Sequence, residues 1–87
     1  MKAKLKKVLE DKLARDILDF FYQNQGCIDS VGGITAWVNS DRSKVKEVLD
    51  SLVELGILQH DAEGITEGYC YTRDEDIMRD VKEALEG

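Results

Sequence analysis

Apolar residues recur at three- and four-residue steps through most of this chain, and strand-like runs appear only near residues 27–28 and 57–72. That pattern admits helices stacked on one another with a little sheet, and little else. Leu5, Leu9, Leu13, Ile17 and Phe20/Phe21 form the first stripe, with Val8 and Leu18 beside it. No Gly or Pro interrupts it, so the spacing predicts one long helix from Lys2 to about Asn24. Gly26 suits the left-handed backbone of a helix end. Cys27-Ile28 reads as one rung of a small sheet, and Asp29 and Ser30 are candidate N-caps for a short helix over 31–38. Gly32-Gly33 weakens that helix, which implies close packing or a frayed start. Asn39-Ser40-Asp41 is a turn, with Asn39 tolerant of positive φ and Asp41 placed to cap the next helix, 42–55. Val45, Val48, Leu49, Leu52 and Val53 are its apolar stripe, and Gly56 ends it.

Ile57-Leu58-Gln59-His60 and Tyr69-Cys70-Tyr71-Thr72 read as two strands joined by turn residues Asp61-Ala62-Glu63-Gly64. Thr72 to Glu75 fits a capping box, and a last helix follows with Ile77, Met78, Val81, Ala84 and Leu85 on one face. The order is long helix, helix, helix, β-hairpin, helix: a mainly α chain with a small β-hairpin, in the α+β class, forming one domain over 1–87.

Charge and composition exclude several classes. With 43% hydrophobic and 34% charged residues the chain is globular rather than disordered. No apolar run approaches the ~20 residues of a membrane span, and no secretion signal follows the basic start, so the expected location is cytoplasmic. Cys27 and Cys70 lie far apart and in no metal spacing, and His60 is the only histidine. The two thiols are expected to be buried apolar fillers rather than a disulfide. No metal, cofactor or catalytic residue is expected: there is no phosphate loop, and no nucleophile stands beside a base. The net charge of −6 is unevenly spread. Residues 1–46 carry nine Lys/Arg against six Asp/Glu, and residues 47–87 carry three against twelve. Only the first half offers a basic footprint for nucleic acid.

Ile34, Val38, the turn residue Asn39, the cap Asp41, then Val45, Leu49, Leu52 and the exit Leu55-Gly56-Ile57-Leu58 form a connected pattern. It resembles the helix-turn-helix of winged-helix transcriptional regulators, covering residues 34–58 and extending through the hairpin to Thr72. The resemblance implies a helix-turn-helix over about 31–55, a wing over about 57–72 and a C-terminal helix over about 74–86. It also implies that the helix opening at Arg42 enters the major groove of double-stranded DNA. The implied contacts are Arg42 to a base edge, Lys44 and Lys46 to phosphates, Ser40 and Ser43 as phosphate donors, and Glu47 on the same face. Relatives dimerise through terminal helices, which implies a homodimer through the N- and C-terminal helices.

This chain departs from that pattern at Ser40, Asp50 and Ser51, and its wing loop carries Asp61, Glu63 and Glu67 with no Lys or Arg. Two readings therefore stand side by side. One is a DNA-binding regulator. The other is a winged-helix protein-interaction module that does not bind DNA, favoured by the acidic wing, the acidic C-terminal half and Trp37 as an interface anchor.

Overall fold

The computed structural model describes residues 2–61 and 68–86. Along the chain run α1 (Lys2–Leu9), α2 (Lys12–Gln23), β1 (Ile28–Asp29), α3 (Val31–Val38), α4 (Arg42–Glu54), β2 (Leu58–Asp61), β3 (Gly68–Tyr71) and α5 (Glu75–Glu86). The chain is mainly helical with a small antiparallel sheet, in the α+β class.

The first stripe is two helices, not one. The N–H groups of Glu10 and Asp11 turn back to Lys7 and Val8 carbonyls, both at 3.2 Å, which closes α1 with a tight turn. Asp11 then caps α2: its backbone is extended, and its carboxylate accepts the Leu13 N–H at 3.1 Å. The break frees α1 to tilt onto α2 and α5, where Leu5 and Leu9 are buried. The terminal helices thus pack on one another within the chain, and the Tyr22 hydroxyl of α2 donates to the Glu86 carboxylate near the end of α5.

The turns around α3 and α4 follow the expected local chemistry. Ser30 caps α3, its hydroxyl accepting the Gly33 N–H at 3.1 Å. Gly33 lies directly under the Asp29 carboxylate, where a Cβ would collide, so close packing accounts for that glycine. Asn39 closes α3 in the left-handed region at φ 53°, and Asp41 caps α4. At the far end of α4 the Ile57 N–H reaches the Leu52 carbonyl and the Gly56 N–H reaches that of Val53, each at 2.9 Å. This is a Schellman motif, and Gly56 sits at φ 81° as it requires. The motif brings Ile57 back against Leu52, and both are fully buried.

The hairpin gains a third strand. β1 joins β3, and β3 joins β2, all antiparallel, in the order β1-β3-β2. Ile28 pairs with Cys70, and Leu58 pairs with Tyr71. Alternation sends Tyr69 and Tyr71 inward against the helices, where both are buried. Asp61, expected to open the turn, is instead the last residue of β2 and pairs with Gly68, because the strand runs one residue further; the rest of the expected turn, 62–64, and the acidic side chains of the wing loop lie outside the described residues.

Two further expectations change. Cys27 is exposed and Cys70 half-buried, both as free thiols: Cys27 stands just before β1, and Cys70 alternates with the inward Tyr69 and Tyr71 and so faces away from the core. The cap of α5 is Asp74, not Thr72. Asp74 Oδ1 accepts the N–H groups of Asp76 and Ile77, and its carbonyl accepts that of Met78. Thr72 instead holds the preceding loop, its buried hydroxyl accepting the Asp74 N–H at 3.0 Å. The reason is position: α5 begins at Glu75, so Asp74 rather than Thr72 stands next to its first turn.

The core joins every helix to the sheet: Leu5, Ile17, Leu18, Phe21, Ile34, Val45, Leu49, Leu52, Ile57, Leu58, Tyr69 and Val81. No helix among the described residues is long and apolar enough to cross a membrane.

Candidate interaction surface on α4

The inward stripe of α4 fixes which residues face out. Val45, Val48, Leu49 and Leu52 are buried. The opposite ridge, reached by steps of four, three and four, is Ser43, Glu47, Asp50 and Glu54, all exposed. The centre of the outward face is therefore a row of carboxylates.

The basic residues stand to either side of that row. Arg42 and Lys46 are one turn apart on one flank, and Lys44 is on the other. They do not form a continuous stripe. Arg42 opens the helix and leans back over α3: a methyl placed on Gly32 would lie 4.0 Å from its Nη1. Lys46 is held in place. Its Nζ donates to Asp50 Oδ1 at 3.0 Å and to the Tyr69 hydroxyl at 3.2 Å. Asp50 first, and Tyr69 second, hold its pKa above the ordinary lysine value. Tyr69 in turn stacks on the His60 ring, with centroids 4.6 Å apart and planes 14° from parallel. Lys46 thus ties α4 to the sheet while still reaching solvent. Ser40 is half-buried in the turn, whereas Ser43, Lys44 and Glu47 are exposed on the first turns of α4.

The structure brings Arg42, Ser43, Lys44, Lys46 and Glu47 onto one short helix segment, as the sequence placed them. Residue types alone hid the company they keep. Asp50 and Glu54 extend the ridge beyond Glu47, and the three- and four-residue spacing that marks the inner stripe marks them too. Nothing local signalled Tyr69 as a partner of Lys46, because the two meet only through the tertiary fold.

Beside this face α3 presents a second feature. Trp37 is 57% exposed. Its ring rests on half-buried Phe20 of α2, with centroids 4.7 Å apart. Phe20 stands edge-on to the buried Phe21 at 5.3 Å, so the indole is propped from below by packed aromatics. Gly32, Gly33 and Ala36 leave the rest of the outer face of α3 low and exposed.

Among the described residues no group of three or more His, Cys, Asp and Glu is gathered so as to hold a metal ion. No protein-family model matches this chain, and no curated protein matches it in sequence.

Proposed function

We propose that this chain is a winged-helix module whose work is docking to another protein. The element order supports the winged-helix reading, as do the left-handed turn at Asn39, the capped α4 and the Schellman exit into the hairpin. The observation that carries the docking reading is the acidic ridge of Glu47, Asp50 and Glu54 along the outward centre of α4. A helix laid in a major groove with that ridge foremost would bring three carboxylates, only one of them paired with a cation of the helix, toward a polyanion. The propped, exposed Trp37 adds the kind of rigid apolar anchor that protein interfaces favour.

A second reading has its own observation. The first turn of α4 exposes Arg42, Ser43 and Lys44 ahead of any carboxylate on the helix, which is where a DNA-reading helix makes its contacts. In that reading the chain is a transcriptional regulator, with Ser40, Lys46 and Glu47 completing the contact set.

Titration of pooled random duplex DNA at two salt concentrations separates the two. The docking reading expects only feeble association at low salt, unchanged by Arg42→Ala/Lys44→Ala. Tight binding that weakens steeply with salt and disappears in that variant would overturn it and establish the DNA reading.

A further inference from the structure

A groove of about 500 Å³, open to solvent, runs between α1 and the flank of α4 that carries Lys44 and Ser51. Its floor is apolar, made by Val8, Ala14, Val48 and Leu55. Its two walls differ in sign: Lys4 and Lys7 line the α1 side, while Glu47 and Glu54 line the α4 side. Asp11 also reaches the groove, but its carboxylate is engaged in capping α2. Ser51 is turned back as well, donating to the Glu47 carbonyl at 3.0 Å.

Resting on the docking reading above, we propose that this groove seats an amphipathic helix of the partner protein. About two turns of helix span the walls, since Lys4 to Asp11 and Glu47 to Leu55 each cover roughly 10–12 Å at the rise of an α-helix. That length accepts apolar anchors at i, i+3 or i+4, and i+7. The partner helix carries Arg or Lys on the flank facing Glu47 and Glu54, and Asp or Glu on the flank facing Lys4 and Lys7. Reversing a helix end to end exchanges its flanks, so walls of opposite sign also fix its direction.

Other occupants fit less well. A small molecule in a groove this open would keep most of its surface in water. A phosphate backbone would meet Glu47 and Glu54. A second copy of this chain offers no apolar stripe flanked by opposite charges: that of α5 is already turned inward at Val81, with Ile77, Met78 and Leu85 packed against the core, and the exposed face of α3 carries Trp37 beside Gly32, Gly33 and Ala36, with no charge among them.

The test uses the full chain and a synthetic 14-residue helical peptide with a leucine stripe, arginines on one flank and glutamates on the other. A control peptide has the same stripe and glutamates on both flanks. Fluorescence anisotropy gives affinity, and amide shifts of the labelled protein give location. The expected result is shifts centred on Val8, Val48 and Leu55, with the control peptide binding about tenfold more weakly. The double reversal Glu47→Lys/Glu54→Lys should weaken the first peptide by a similar factor and restore binding to the control. That restoration requires a folded variant and so separates lost recognition from lost structure. Shifts centred on Trp37, or affinities indifferent to the flank charges, would overturn the groove assignment and leave the docking reading standing. Salt-steep duplex binding lost in Arg42→Ala/Lys44→Ala overturns the docking reading instead.

Discussion

Val45, Leu49 and Leu52 on the inner face of α4 have no exposed surface, while Ser43, Glu47, Asp50 and Glu54 on its outer face are open to solvent. The same helix thus answers to two sets of rules. Inside, shape decides, because interiors are packed as densely as organic crystals and a missing methylene is felt. Outside, packing places almost no demand, so charge is free to be set by what the surface meets. An isolated outward carboxylate is ordinary. Three at helical spacing, one of them paired with Lys46, with Arg42 turned back over α3 and Lys44 on the far flank, make the centre of the face acidic. The inner stripe is thus fixed by packing, whereas the outer ridge is left free of that demand.

The largest effect of a substitution is expected on the inner side. Leu49→Ala should lower unfolding free energy by about 3 kcal/mol in denaturant titration, as large-to-small changes at enclosed leucines do. A loss under about 1 kcal/mol would mean that the interface between α4 and α2 is looser than the burial implies.

A polar atom on the inner side sharpens the contrast. The Tyr71 hydroxyl is buried with no hydrogen-bond partner among the described residues. Burial, with a smaller contribution from Tyr22, pushes its pKa up to about 12. The folded state therefore holds this proton more tightly than the unfolded chain does. Stability is unaffected below about pH 10 and falls as pH rises toward 12, by roughly 2 kcal/mol in all. Lys46 adds a loss of the same sign, since its raised pKa means that the stability its pairing contributes disappears as it deprotonates. Tyr71→Phe should remove the tyrosine's share of the alkaline slope in pH-dependent thermal melts. At neutral pH it should be neutral or slightly stabilising, because no hydrogen bond is lost.

The smallest effect belongs to the outer side. Asp50→Asn breaks an exposed pair with Lys46 and should change stability by less than about 0.5 kcal/mol in the same titration. A larger loss would show that the Lys46–Tyr69 strut depends on Asp50 for its position.

Legibility in the sequence followed range. The bounds of α3, the left-handed Asn39, the Asp41 cap and the Gly56 exit were all readable, because each depends on atoms within one or two turns of the chain. The break at Asp11 was also local, yet it was hidden. No Gly or Pro marks it, and the apolar steps run straight across it from Leu9 to Leu13. The carboxylate of Asp11, competing for backbone N–H groups, was the signal. The exposed thiols and the Lys46–Tyr69 contact required the sheet order and the helix docking, which no local pattern encodes. In the candidate site the cations are legible by residue type, whereas the carboxylates between them are legible by position.

The pairing of Ile28 with Cys70 has a bearing on how the molecule assembles. Bringing those residues together closes a loop that contains α3, α4 and β2, at an entropic cost of roughly 3 kcal/mol. A strand of two residues offers too few bonds to offset that by itself. The β2–β3 hairpin and the helices on either side of it have shorter loops to close, so their pairing costs less entropy than that of β1. The rung therefore leans on the rest of the sheet for its stability, just as the docking of α1 on α5, which spans a longer stretch of chain still, leans on the core between them.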